Sequence, residues 1–142
     1  MPSEKISSTL VFHHTGVIVR SMADARAEYA RLFGEPALSV VYEVASQGVR
    51  VCCVQVGPHS CLALVEPVDP DSKAASIARR MATCCHVAYK TPDIEQAVAE
   101  MVAADFKRAG DCFASEAFGG QRCIVLMSRQ AHLIELIEAD TA

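Results

Sequence analysis

Two stretches of the chain open with a strand-like pattern of apolar positions and then pass into the same helical periodicity. Val11 to Val19 reads as a strand; Ser21 takes an N-cap position, and Met22, Ala25, Tyr29 and Leu32 recur at the spacing of one helix face as far as about Phe33. Cys84 to Lys90 repeats the strand, and Asp93, after Pro92, repeats the cap. Ile94, Ala97, Val98, Met101 and Val102 then mark the buried stripe of a helix ending near Ala104. Three β-like runs follow each helix. They are Ala37 to Ala45, Val49 to Val56 and Ser60 to Glu66 in the first half, and about Phe106 to Phe113, Gln121 to Met127 and His132 to Glu138 in the second. Between the halves, EPVDPDSKAASIARRMAT reads as a Pro- and Asp-rich turn and a short amphipathic helix from about Lys73 to Met81, a linker that packs against the rest.

The residues repeat along with the pattern. At an offset of 72, His14 falls on His86, Ala25 on Ala97, Glu28 on Glu100, Gly48 on Gly120, Arg50 on Arg122, Leu64 on Leu136 and Glu66 on Glu138. The reading is a tandem pair of βαβββ modules, at about 11–66 and 83–138 with a linker at 67–82, in one α+β domain spanning 1–142. Packed side by side, two such modules place equivalent strands about a pseudo-twofold axis, with a cleft between curved sheets. Gly119 and Gly120 fit a hairpin turn better than a phosphate cradle, because no strand feeds a helix there.

That symmetry singles out three side chains. His14 and His86 hold the same position in the first strand of each half, so they should converge on the cleft. Glu135 is an isolated carboxylate in the apolar strand HLIELIE, a placement that is costly unless something pairs with it. Two imidazoles and a carboxylate form a ligand set for a divalent transition metal such as Fe, Co, Zn, Mn or Ni. The symmetric partner of Glu135 is Ala63, which cannot coordinate, so this corner is open or reached by a neighbour. Gln55 is the expected neighbour, because it shares a strand face with Val51 and Cys53. By strand alternation His13 should point away from the cleft, and it reads as structural, as do His59 and His132.

Composition narrows the setting. The chain has 142 residues, of which 51% are hydrophobic and 21% charged, enough for one core and too few for two ordinary domains. A net charge of −4 without a basic run gives no footprint for nucleic acid. No apolar segment has signal-peptide or membrane-spanning length, so a cytoplasmic protein without a membrane partner is expected. The seven cysteines contain no C-x-x-C spacing and sit mostly in apolar runs, where they act as small hydrophobes in a reducing compartment.

The segments HHTGVIV, QGVRVCCVQVG, LALVEPVDPDS, CHVAYKTPDIEQAV, GGQRCIVLMS and HLIELIE resemble the vicinal oxygen chelate (glyoxalase/bleomycin resistance/extradiol dioxygenase) superfamily, and within it most closely the methylmalonyl-CoA epimerases. The resemblance spans about residues 11 to 138 and implies a cupped, eight-stranded mixed sheet with His14, His86 and Glu135 as metal ligands. It also implies a small-molecule substrate, possibly an acyl thioester, processed through a metal-stabilised enolate, and a homodimer. Two departures stand out. The family's remaining ligand, a Glu or Gln, falls on Ala63, and a Glu that serves some members as a proton-transferring base falls on Val51. Glu43 and Gln55 are the substitutes considered, with Glu135 the third catalytic candidate. The same loss at Ala63 leaves the His-His-Glu set of a non-haem Fe(II) dioxygenase as the alternative. A metal-free small-molecule-binding module is the third reading.

Overall fold

The computed structural model describes residues 5–80 and 84–139. In chain order its elements are β1 (Val11–Ile18), α1 (Met22–Phe33), β2 (Tyr42–Val44), β3 (Val49–Gly57), β4 (Ser60–Pro67), α2 (Lys73–Arg80), β5 (Cys84–Thr91), α3 (Ile94–Ala103), β6 (Lys107–Arg108), β7 (Phe113–Ser115), β8 (Gln121–Met127) and β9 (Leu133–Glu138). The strands form one mixed sheet in the order β2-β3-β4-β1-β5-β9-β8-β6, with β7 also pairing with β8. This is the α+β architecture of the vicinal oxygen chelate fold. No helix among the described residues is long and apolar enough to cross a membrane.

Both long helices start where the sequence places their caps. Ser21 Oγ accepts from the Asp24 N–H at 3.1 Å, and the Asp93 carboxylate accepts from the Gln96 N–H at 3.1 Å. The faces they bury are equivalent. Met22 and Ala25 pack on Cys52, Val54 and Leu64; Ile94 and Ala97, joined by Val98 and Met101, pack on Ile124, Leu126 and Leu136. A fully buried Ile, Val or Met contributes about 1.5–3 kcal/mol, so the α3 stripe alone anchors its helix firmly. Burial of these even-numbered positions on β3 and β4 leaves the alternate residues, among them Val51, Cys53 and Ala63, to the concave face.

The two halves meet along β1 and β5, which pair antiparallel as His14↔Ala88, Thr15↔Val87 and Gly16↔His86. Shifting each residue by one repeat exchanges these pairs, so the pseudo-dyad passes through Thr15 and Val87. Each central strand then takes a parallel partner in the same register, Gly16↔Ala63 in the first half and Ala88↔Glu135 in the second. The outside of the sheet is also symmetric: Arg50 pairs with Glu66 at 3.1 Å and Arg122 with Glu138 at 2.8 Å.

The repeat frays at the sheet edges. The run expected as one strand from Ala37 to Ala45 instead begins in a 3-10 turn, Glu35–Ala37, touches β3 through an isolated Leu38↔Val54 bridge, and pairs regularly only at β2. Its counterpart divides into β6 and β7 across Ala109 to Cys112, where Gly110 and Asp111 interrupt the extended run. The expected eight-stranded mixed sheet is the path β2-β3-β4-β1-β5-β9-β8-β6, and the division of one run adds β7 as a short segment beside β8. The linker helix runs from Lys73 to Arg80; its expected last residue, Met81, lies outside the described residues.

Candidate metal centre

Strand parity and the central pairing bring three chemically active side chains to one spot. Gly16 faces His86 across the β1–β5 seam, His14 lies two residues along the same face, and Ala88, two residues beyond His86, is the partner of Glu135 on β9. The side chains close the remaining gap. His14 Nε2 lies 3.0 Å from His86 Nε2, and Glu135 Oε1 lies 3.3 Å from the first and 3.2 Å from the second. His14 is fully buried, and the Glu135 side chain is only 7% exposed. Gly16 makes room for this cluster, since a Cβ there would overlap the His86 ring.

The charges are arranged for a cation. Burial pushes the Glu135 carboxyl up, but the His14 and His86 imidazoles beside it outweigh burial and hold it at about 2. Burial likewise lowers His14 below its ordinary value, against the pull of Glu135. Near neutral pH the cluster is therefore a carboxylate with neutral His14. Glu135 Oε1 is buried without a well-formed hydrogen bond although two ring nitrogens crowd it. Three lone-pair donors converging in this way fit an ion that they share. Bonds of about 2.1 Å to one ion imply donor separations of roughly 3.0 Å at right angles and roughly 3.4 Å in a tetrahedron, and the observed spacings fall in that range.

The structure sorts the other candidates. His13 was expected to turn away, but the β1–β5 register shifts between Phe12 and His14, which makes His13 the extra residue of a β-bulge. A bulge breaks the alternation, so both imidazoles reach the concave side. His13 Nδ1 lies 2.8 Å from His14 Nδ1, and its ring meets Phe118 edge-on while Phe118 stacks on His14. Burial first, then His14 and Lys90, push the His13 pKa down to about 4.

Gln55 does face the concave side, where it lines a cavity of about 500 Å³ with His13, Cys53, Cys61, Lys90 and Phe118, but its amide donates to the Gly57 carbonyl at 2.7 Å. Glu43 is not brought to the cluster. Its register partner is Arg50, on the outer face, and the two form a loose exposed ion pair at 3.5 Å. The substitution of Glu43 for the absent base is therefore corrected: the even-numbered face of β3 looks outward. Ala63 is buried on the concave side beside Gly16 and Cys53, so the fourth corner carries only a methyl group. His59 and His132 are exposed at turns.

Sequence reasoning passed over Gly16, Lys90 and Phe118. A glycine inside the strand HHTGVIV was the available signal for a close approach; Phe118 had none, because it ends a 3-10 turn, Glu116–Phe118, that only the fold carries to the cluster.

A family model described as Glyoxalase/Bleomycin resistance protein/Dioxygenase superfamily matches residues 13–125. No curated protein matches the chain. Among solved structures the chain is similar to methylmalonyl-CoA epimerase from Mycobacterium tuberculosis, at 18% identity over 96% of this chain and 93% of that chain, with a TM-score of 0.80. It is also similar to a variant of Streptomyces coelicolor methylmalonyl-CoA epimerase in complex with 2-nitronate-propionyl-CoA, at 22% identity over 94% and 100% with a TM-score of 0.79. A hypothetical protein from Bacillus halodurans C-125 matches at 22% identity over 96% and 97%, with a TM-score of 0.76. At these identities the likeness to the solved structures is one of fold. The family match covers most of the chain and includes two of the three clustered residues, so this protein belongs to the glyoxalase/bleomycin resistance protein/dioxygenase superfamily.

Proposed function

We propose that this protein is a metal-dependent enzyme that removes the proton next to the carbonyl of an acyl thioester or related small acid, in the manner of a methylmalonyl-CoA epimerase. His14, His86 and Glu135 would hold the divalent ion. The observation that carries this reading is the convergence of their three donor atoms within 3.3 Å of one another on the concave face.

Held by His14, His86 and Glu135, a divalent ion would supply Lewis acidity toward the substrate carbonyl, which would lower the cost of losing the adjacent proton. The chain's own residues supply the rest. For His14 to offer the Nε2 lone pair, its proton must sit on Nδ1, and the His13 Nδ1 at 2.8 Å accepts it. His13 thus fixes both the tautomer and the ring orientation, while Phe118 stacked on His14 keeps water from that side. With Val51 at the position of the family's base and Glu43 outside, the proton acceptor must stand on the cavity wall. The thiols of Cys53 and Cys61 stand on that wall beside His13 and Gln55.

A second reading rests on Ala63. With a methyl at the fourth corner, two His and one carboxylate form the donor set of an Fe(II) site that leaves positions for substrate and oxygen. One experiment separates the readings. Protein loaded with cobalt or zinc is expected to exchange the α-proton of methylmalonyl-CoA with deuterated water without consuming oxygen, and His86→Ala to lose both metal and exchange. Oxygen uptake that requires Fe(II) and substrate would replace the first reading with the second. Unchanged metal content in His86→Ala would refute the site itself, and no metal uptake by the wild type would favour a metal-free binding module.

A further inference from the structure

The cavity beside the clustered histidines has a chemical bias of its own. Lys90 stands on β5 four residues after His86, so strand parity turns it to the same concave face, and it lines the cavity with His13, Cys53, Gln55, Cys61, Phe118 and Gln121. Among the described residues no carboxylate lines that space. The ion pairs of Arg50 with Glu43 and Glu66, of Arg122 with Glu95 and Glu138, and of Arg129 with Asp105 all lie outside this cavity. Lys90 is half-buried, makes no ion pair among the described residues, and faces a ring whose protonation it opposes.

We infer that this cavity is an anion subsite, in which the Lys90 ammonium binds the carboxylate of a small acid while Phe118 and the two thiols receive its apolar body. The orientation of that acid rests on the function proposed above: its second oxygen donor would face His14, His86 and Glu135. The balance of charge agrees. A divalent ion on one carboxylate and two neutral imidazoles leaves an excess positive charge, and Lys90 adds another, so the face as a whole calls for an anion. A volume of about 500 Å³ suits a small acid, or the acyl end of a larger one.

The test uses malonate and its uncharged analogue malonamide, titrated calorimetrically into wild type, Lys90→Met and Lys90→Arg, each with and without zinc. Met keeps the length and apolar stem of lysine and removes only the charge. Malonate affinity is expected to fall about ten- to hundredfold in Lys90→Met, the range of a charge-assisted hydrogen bond, and to recover in Lys90→Arg. Malonamide should bind the wild type and Lys90→Met alike, and malonate binding should weaken with added salt. Equal malonate affinity in wild type and Lys90→Met would overturn the subsite, as would the absence of malonate binding to the wild type in both metal states. Zinc content, measured on the same samples, reports on the clustered ligands separately. A wild type that takes no zinc but still binds malonate through Lys90 would refute the metal centre and leave the anion subsite standing.

Discussion

Ala63 and Glu135 occupy the same place in the two halves of the sheet. Each lies on a strand parallel to a central one, paired with Gly16 in one half and with Ala88 in the other, and each is buried on the concave face. Their antiparallel neighbours match as well, Cys53 beside Ala63 and Val125 beside Glu135. The backbone thus offers two equivalent corners, and only one carries a side chain able to donate a lone pair. Fold symmetry decides where donors can converge; residue identity at one position decides how many of them meet there.

The largest expected effect comes from spoiling the seam that both corners share. Gly16→Ala would drive a methyl group into the His86 ring, so metal uptake should fall by more than a hundredfold, beyond the usual cost of disturbing an outer-shell partner. Retained metal affinity, measured by competition with a chelator, would mean that His86 is not held where the pairing puts it.

A smaller effect, of opposite sign, should follow from completing the symmetry. Ala63→Glu adds a second carboxylate, which should tighten metal binding by at least about tenfold. In the metal-free protein the two carboxylates would face each other and repel. The melting temperature should therefore fall without metal and rise with it, and a variant that shifts the same way in both states would show that the first-half corner does not reach the centre.

The smallest effect is a pH dependence confined to the histidine side of the comparison. Burial, with the neighbouring cation and imidazole, depresses the His13 pKa from 6.5 to about 4, and burial lowers His14 too. The unfolded chain then takes protons that the folded one refuses, so the metal-free protein should lose stability as pH falls from about 6.5 to about 4. Below about 4.5 the loss of the Glu135 charge, with its folded value near 2, continues the decline. His13→Gln should flatten the upper part of this slope in urea midpoints measured across the range; an unchanged slope would assign it to other groups.

The clustered residues were legible in the sequence because the repeat offset paired His14 with His86 and because Glu135 stood alone as a carboxylate in an apolar strand. Cap residues and helix stripes were legible through the same offset: Ser21 and Asp93, or Ala25 and Ala97, sit in equivalent surroundings. What escaped reading depends on pairing between strands, which no local pattern encodes. The bulge that turns His13 inward exists only because β1 and β5 are one residue out of step between Phe12 and His14. The outward face of Glu43 follows from the partner that a three-residue edge strand finds on β3. The broken outer strands reflect local interruptions near Pro36 and Gly110 that overrode an otherwise extended pattern.

The β1–β5 seam has one more consequence. His14 comes from one side of it, and His86 and Glu135 from the other. An ion shared by the three would act as a clasp across the junction, so that parting the halves and releasing the ion become a single event, and the grip of the centre becomes part of what keeps the sheet closed.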